Sequence, residues 1–415
     1  MNQFKLILSI VMLAISLPSI AQPLLETGGK KMPDEWIDKD THHKLIRLTR
    51  IEGSSVSFYF HNNPFIGNQM VFYNSSKERP GAVTDMKKET YNMNDKDKQL
   101  YLLDLSTLAA RRLTNQSTPM NGEIVSAKRK EAFYQVKDSV FSVNIDTKRE
   151  KLVFVFPKDF KGSITTVNAD GTLLGGAKGS ETEAEIYKNH PEKKDFFNLI
   201  YEAKLPKTLF TINIETKKLN KVFTDSAWLN HVQFSPTDPS LLMFCHEGPW
   251  HKVDRIWTIN LQTKKIMLMH KRTIENEIAG HEWIGASGKT IWFDLQQPKG
   301  ETFFVAGSDV TTGKEVKYSV DRNDWSVHYT SSWDEKSFAG DGGDPGAVAK
   351  AKDGQWINYF TVHGDHLVSE KLVNMKHHHY KLEPNVHFSP DGKWIIFRAN
   401  FEGTENVYAA EIKRS

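Results

Sequence analysis

A short tract recurs along this chain and leaves few folds open to it. It reads Leu102-Leu103-Asp104-Leu105-Ser106-Thr107, Ser142-Val143-Asn144-Ile145-Asp146-Thr147, Thr211-Ile212-Asn213-Ile214-Glu215-Thr216 and Thr258-Ile259-Asn260-Leu261-Gln262-Thr263. Each tract ends a β-rich apolar run and turns the chain with an Asp or Asn and a Thr. Apolar runs precede the tracts at 69–73, 131–134, 171–175 and 240–244, and others follow at 110–114, 151–154, 219–223 and 266–268. Looser copies occupy 288–318, 336–372 and 389–412. Between copies lies another short strand carrying His or Ser-Pro, such as His231-Val232-Gln233-Phe234-Ser235-Pro236 or His387-Phe388-Ser389-Pro390. A unit of four strands repeating every roughly 40–60 residues is the pattern of a β-propeller.

The expected fold is all-β, a seven-bladed β-propeller. The seventh copy lacks its last strand, and Leu45-Ile46-Arg47-Leu48-Thr49 resembles the last strand Arg111-Arg112-Leu113-Thr114. The N-terminal strand is therefore expected to join the last blade and close the ring, leaving no free sheet edge. The alternative is a pair of β-sandwiches, but no linker divides the chain. The expected organisation is a signal peptide at 1–21, an irregular leader at 22–43 and one propeller domain at 44–415.

The signal peptide is read from Lys5, the apolar run 6–17 and Ser19-Ile20-Ala21 before Gln22. That is a charged start, a short apolar stretch and a small-x-small cleavage site, too short for a membrane span. The expectation is a periplasmic or secreted protein without a membrane anchor. With 54 basic and 51 acidic residues, there is no basic excess of the kind a nucleic-acid binder concentrates. The single cysteine, Cys245, rules out an intramolecular disulfide and reads as a small buried thiol more readily than as a nucleophile.

In a propeller, ligands bind where loops converge on the central channel. The histidines fall at the ends of the first strands: His61, His231, His246, His251, His281, His328, the run His377-His378-His379, and His387. One histidine on an apolar strand is usually structural. Several at equivalent positions point to a metal site or an acid–base pocket, since neutral imidazole serves as both ligand and base. The stretch Cys245-His246-Glu247-Gly248-Pro249-Trp250 interrupts two strands and presents polar groups on a loop. Gly340-Asp341-Gly342-Gly343-Asp344 has neither phosphate-loop nor calcium-loop spacing and reads as a turn. No Gly-x-Ser-x-Gly elbow is present.

Trp228-Leu229-Asn230-His231, Phe244-Cys245-His246-Glu247-Gly248-Pro249, Val253-Asp254 and Arg255-Ile256-Trp257 together resemble the core motif of the oligogalacturonate lyases. His281-Glu282-Trp283, His328 ahead of Gly340-Asp341-Gly342, and Phe388-Ser389-Pro390-Asp391 follow in the same order. The resemblance covers most of 45–415. It implies a seven-bladed propeller that cleaves short galacturonate chains by β-elimination with a divalent metal, manganese first and calcium second. Residue by residue, it implies His246 as base; His231 is a further catalytic candidate. Lys207 stands where the family has an arginine. His281 matches a metal ligand. Glu383 and Asn385 occupy the positions of two family histidines, with His379 and His387 as further candidate ligands. His61, His328, Trp250 and Arg255 are assigned to substrate.

The chemistry fits these parts. The proton at C5 of a uronate lies alpha to a carboxylate, and it becomes acidic only when that charge is neutralised. A neutral histidine then takes it. The departures at Lys207, Glu383 and Asn385 leave open a different uronic linkage, of the rhamnose-glucuronate or ulvan type. A glycoside hydrolase would need a paired-carboxylate site, for which Glu247 and Asp254 are the nearest pair. A non-catalytic binding propeller would not need histidines at matched positions. The expected partner is an acidic oligosaccharide, with no nucleic acid and no obligate protein partner.

Overall fold

The repeated tract is a turn made by one side chain. Asp104 Oδ1 accepts hydrogen bonds from the backbone N–H of Ser106 and Thr107 at 2.9 and 3.0 Å. Asn144, Asn213 and Asn260 do the same two and three residues on, and so does Asp309 in a fifth copy. Four residues beyond each, the backbone turns left-handed: Leu108, Lys148, Lys217 and Lys264 have φ between 57° and 61°, and Gly313 has 70°. The side-chain acceptor replaces a backbone one, and this fixes the hairpin and its register.

The structure is a computed structural model, and it describes residues 22–76, 97–343, 346–347, 349 and 351–413. Strands carry nearly all its regular structure. Three sheets have four antiparallel strands each, beginning at Asn121–Ser126, Ser163–Val167 and Trp228–Phe234. An eight-stranded sheet consists of two such four-strand runs, joined where Glu315–Val320 pairs in parallel with His366–Asn374. The first sheet holds Ser54–Val56, Gln69–Ser75, Lys98–Asp104 and Ala110–Arg112, plus the short strand Phe65–Ile66. In the last sheet, Lys44–Arg47 pairs antiparallel with Asn406–Glu411, with Leu45 opposite Ala410 and Arg47 opposite Tyr408. The fold is all-β and propeller-like.

The core lies between runs. One cluster joins Val71, Tyr73 and Leu100 of the first sheet to Ala132, Tyr134 and Val143 of the next. Another joins Trp283 and Trp292 to Tyr329, Phe338 and Phe360. A third joins Ile396, Val407 and Ala409 near the end of the chain to Met70, Phe72 and Leu103 near its beginning. Each fully buried large apolar side chain contributes about 1.5–3 kcal/mol relative to exposure. The interleaving therefore ties every run to its neighbours.

Two regions differ from the sequence reading. Residues 22–43 are not wholly irregular: Glu35–Asp38 pairs with Lys44–Arg47, and Leu24–Leu25 adds in parallel outside it. Trp36 is fully buried against Phe401 and Tyr408, and this anchors the segment. Two helices, Glu181–Asn189 and Lys193–Ala203, stand between strands Leu173–Lys178 and Lys207–Asn213. Ser180 caps the first helix by accepting from Glu183 N–H, the Ser-x-x-Glu signature of a helix start. Phe197 sits edge-on to Trp228 at 5.2 Å. The expected signal peptide lies outside the described residues. No described helix is long and apolar enough to cross a membrane.

Candidate active site

Two innermost strands carry a bulge at a histidine. Pairing of Trp228–Phe234 with Leu241–Glu247 breaks register between Asn230 and Gln233, and that of Ile278–Ile284 with Thr290–Gln296 breaks between Gly280 and Trp283. His231 and His281 sit in these breaks with φ of 46° and 44°. Asn385, just before the innermost strand of the last sheet, has φ of 50°. A left-handed residue with a side chain costs about 1–2 kcal/mol. Bulges re-aim side chains, and such strain gathers at functional sites.

Neighbouring carboxylates orient the imidazoles. His281 Nδ1 is 2.9 Å from Asp294 Oδ1. His328 Nδ1 is 2.7 Å from Asp341 Oδ2, and Asp341 also accepts from the His328 backbone N–H. His231 Nδ1 lies 3.2 Å from Glu282 Oε1, a close contact without hydrogen-bond alignment. The segment Tyr59-Phe60-His61 packs among these rings. His61 is 5.7 Å from His231, Phe60 is 5.0 Å from His328, and His281 is 4.6 Å from His328, all between centroids. The hydroxyl of Tyr59 is 3.2 Å from His328 Nε2.

The electrostatics follow from burial and these partners. Burial, followed by His231, pushes the His61 imidazole down to about 3. Burial also lowers His281 despite Asp294. Burial would lower His328 too, but Asp341 and Glu383 outweigh it and raise it. Tyr59 is pushed well above its ordinary value by burial and by Glu383 and Glu282. The cluster thus holds His61 and His281 neutral beside a protonated phenol.

Arg255 lies beneath and is fully buried. It donates to Glu247 at 2.6 Å and to Glu282 at 2.9 Å. Burial would raise the Glu247 carboxyl, but Arg255 and His231 hold it at about 2. Glu282 is held well below its usual range against the same burial. Arg255, expected at the substrate, is thus already committed to two carboxylates. Trp250, also expected there, lies 4.9 Å from its guanidinium and edge-on to His281 at 4.9 Å. A cavity of about 410 Å³ opens between Trp250, His281, Phe197 of the inserted helix, Lys193 and Lys299. Another, of about 290 Å³, is lined by Phe60, His61, Trp283 and His387.

His61, His231, His281 and His328 are therefore brought together, and His246 stands apart from them. Its ring stacks on Trp257 at 4.8 Å and 24°, and it neighbours Phe244. Burial lowers it, against the pull of Asp225 and Asp254. Strand alternation is the reason: His246 shares a face with Phe244, which packs toward Phe223 of the preceding run. Cys245 is fully buried, and burial pushes its thiol well up. Lys207 forms an ion pair with Glu183 of the first helix at 2.8 Å.

The expected metal ligands do not assemble. Asn385 Oδ1 accepts from Phe60 N–H at 2.9 Å and its amide donates to Glu383 O at 3.0 Å, so both amide atoms are in use. His379 is exposed, and its Nδ1 accepts from Lys381 N–H. His387 Nε2 lies 3.2 Å from Asn62 O. The Glu383 carboxylate is 3.9 Å from His328 Nε2. Among the described residues, no three His, Cys, Asp or Glu side chains form a metal-binding group.

Sequence reasoning passed over Tyr59, Asp294 and Tyr380, and read Asp341 as part of a turn. Tyr380 donates to Asp341 at 2.9 Å. Only the neighbourhood of Tyr59 to His61 signalled its role, since pairing across sheets leaves no local pattern.

A family model described as oligogalacturonate lyase matches residues 72–415. An oligogalacturonide lyase of Pectobacterium atrosepticum is 25% identical over 405 residues, covering 93% of this chain and 98% of that protein. An oligogalacturonate lyase of Dickeya dadantii is 27% identical over 331 residues, covering 76% and 83%. A solved oligogalacturonate lyase in complex with manganese superposes with a TM-score of 0.73 at 22% identity, covering 93% of this chain and 98% of that one. The oligogalacturonate lyase of Vibrio parahaemolyticus gives 0.72 at 22% identity, covering 91% and 96%.

Proposed function

The chain belongs to the oligogalacturonate lyase family, and from that premise we propose that it cleaves short galacturonate-rich oligosaccharides by β-elimination, with a histidine of the central cluster as base. The observation that carries this reading is the gathering of His61, His231, His281 and His328 into one cluster of rings around Tyr59 and Phe60. Elimination removes the C5 proton and expels the C4 oxygen, leaving a C4–C5 double bond. His231 is the base we favour over His246, because it faces this cluster whereas His246 stacks on Trp257. Lys193 and Lys299 line the cavity beside His281 and supply cationic charge for uronate carboxylates. Trp250 offers a flat face to a sugar ring.

The manganese complex of the structural neighbour supports a divalent cation for this chain as well. The donors expected here do not fit as a set, because Asn385 is closed by Phe60 and Glu383 and His379 faces Lys381.

The same reading extends to the architecture and to the location. The four-strand runs, the pairing of Lys44–Arg47 with Asn406–Glu411 and the cluster joining the last run to the first support seven blades in a closed ring. Residues 1–21 support export, which N-terminal sequencing of the mature protein starting at Gln22 would bear out and an uncleaved Met1 would refute.

The lyase reading is tested by incubating the protein with galacturonate oligomers and following the ultraviolet absorbance of the unsaturated product. Wild type produces it and His231→Ala loses it, while His246→Ala keeps most of the rate. Absence of product from every uronate oligomer, with and without added manganese, would sink the reading. Product from rhamnose-glucuronate or ulvan oligomers alone would move the substrate to that linkage.

A further inference from the structure

We propose that Tyr59 is the general acid of the elimination, protonating the departing C4 oxygen, with His328 and Asp341 behind it as positioning residues. The proposal rests on the lyase reading and assigns the half of the reaction that a histidine base leaves open.

The geometry is a three-member relay. Asp341 is fully buried and meets both the ring Nδ1 and the backbone N–H of His328. Tyr380 and the Asn385 backbone N–H also donate to Asp341, so its carboxylate has a fixed position. His328 is itself 1% exposed and cannot reach a substrate. Its free nitrogen shares a hydrogen bond with the Tyr59 hydroxyl at 3.2 Å. Tyr59 is only half-buried, so it is the member of the relay that a sugar can touch. Its ring stands edge-on to His61 at 5.0 Å and to His231 at 6.4 Å. That places acid and base candidates side by side, each of them partly exposed.

The alternative role for a tyrosine so placed is to take the C5 proton as a phenolate. The surroundings oppose it. Glu383, Glu282 and Asp341 all disfavour a negative phenolate, in the same direction as burial. A phenol kept protonated is a donor. In the proposed step the base takes the C5 proton, and the C–H pair becomes the C4–C5 double bond. The C4–O bond breaks toward oxygen, and that oxygen takes the Tyr59 proton. The protonated base then gives its proton to water and the tyrosine takes one from water, so the cycle closes with no net change in protons.

The test is Tyr59→Phe, which keeps the ring contacts and removes only the hydroxyl. Elimination should fall by about 10²–10⁴-fold. In deuterium oxide the recovered substrate should still exchange its C5 hydrogen, because the base is intact. A substrate whose C4 group leaves without a proton, such as fluoride, should be eliminated by Tyr59→Phe at close to the wild-type rate. That rescue also shows that the variant is folded. A rate within a few-fold of wild type on the natural substrate would overturn the proposal. So would loss of C5 exchange together with elimination, or equal slowness on the fluoride. A wild type that forms no unsaturated product overturns the lyase reading and this assignment with it, whereas an active wild type beside an unimpaired Tyr59→Phe overturns this assignment alone.

Discussion

The ammonium of Lys207 lies 2.8 Å from the carboxylate of Glu183, so the first residue of a propeller strand is held by a helix inserted into the same run. Both side chains are largely buried, at 12% and 7% exposure. Removing either leaves its partner without a counter-charge. Glu183→Ala is expected to destabilise the fold by about 1.5–3 kcal/mol, read as a lower urea midpoint. In a double-mutant cycle with Lys207→Ala, the second change should cost less than it does alone. Strict additivity would mean that the two do not interact.

Arg255 carries a heavier consequence. It serves Glu247 and Glu282 at once. Arg255→Met strands two buried carboxylates and should cost about 3–5 kcal/mol. Arg255→Lys should recover little, since one ammonium cannot replace a two-sided fork. The pH dependence has a definite sign. The folded Glu247 carboxyl is held at about 2, below its ordinary 4.5. Its contribution is therefore complete above pH 4.5 and is lost as pH falls toward 2. In Arg255→Met the acid-unfolding midpoint should move upward.

Two histidines, His61 half-buried and His378 buried, add a second, earlier acid effect. Burial pushes both His61 and His378 down to about 3 from 6.5. Between those values the unfolded chain binds protons that the folded chain refuses, so stability falls as pH drops from 6.5. Unfolding free energies measured from pH 7 to 4 should decline before the carboxylates titrate. His378 accepts from Asn400 N–H and donates to Leu382 O, as a neutral ring does. In His378→Gln the decline should be shallower, and an unchanged slope would remove His378 from this account.

Gly280 makes room for Trp250. A methyl group on Gly280 would come within 2.5 Å of the indole. Gly280→Ala should therefore displace the ring from its place beside His281. If Trp250 carries a sugar, KM should rise several-fold with a smaller change in kcat, the pattern of lost uniform binding. A fall in kcat alone would argue that the glycine matters for His281 instead.

The strand plan was legible because it repeats. The Asx turns at Asp104, Asn144, Asn213 and Asn260 announce themselves locally, and the likeness of residues 45–49 to 111–114 pointed to the pairing seen with Asn406–Glu411. The helical pair was missed although Ser180 and Glu183 spell its start, since a repeat of strands masks a single interruption. The histidines were legible as a set but not by orientation. His246 and Glu247 are adjacent in sequence, yet alternation sends one to Trp257 and the other to Arg255. A bulge then reverses that rule at His231 and His281. Tyr59, Asp294 and Asp341 act through partners at least 13 residues away, and no local spacing encodes such pairs.

The sheet that joins Lys44–Arg47 to Asn406–Glu411 also sets a timetable. On the ribosome the other runs can form as they emerge, but this one waits for a strand made some 360 residues after its partner. Until then the apolar side chains of the first run, Met70, Phe72 and Leu103, have no Ile396, Val407 or Ala409 to cover them. Until Asn406–Glu411 is made, this sheet lacks its partner strand and that apolar surface has nothing to close over it.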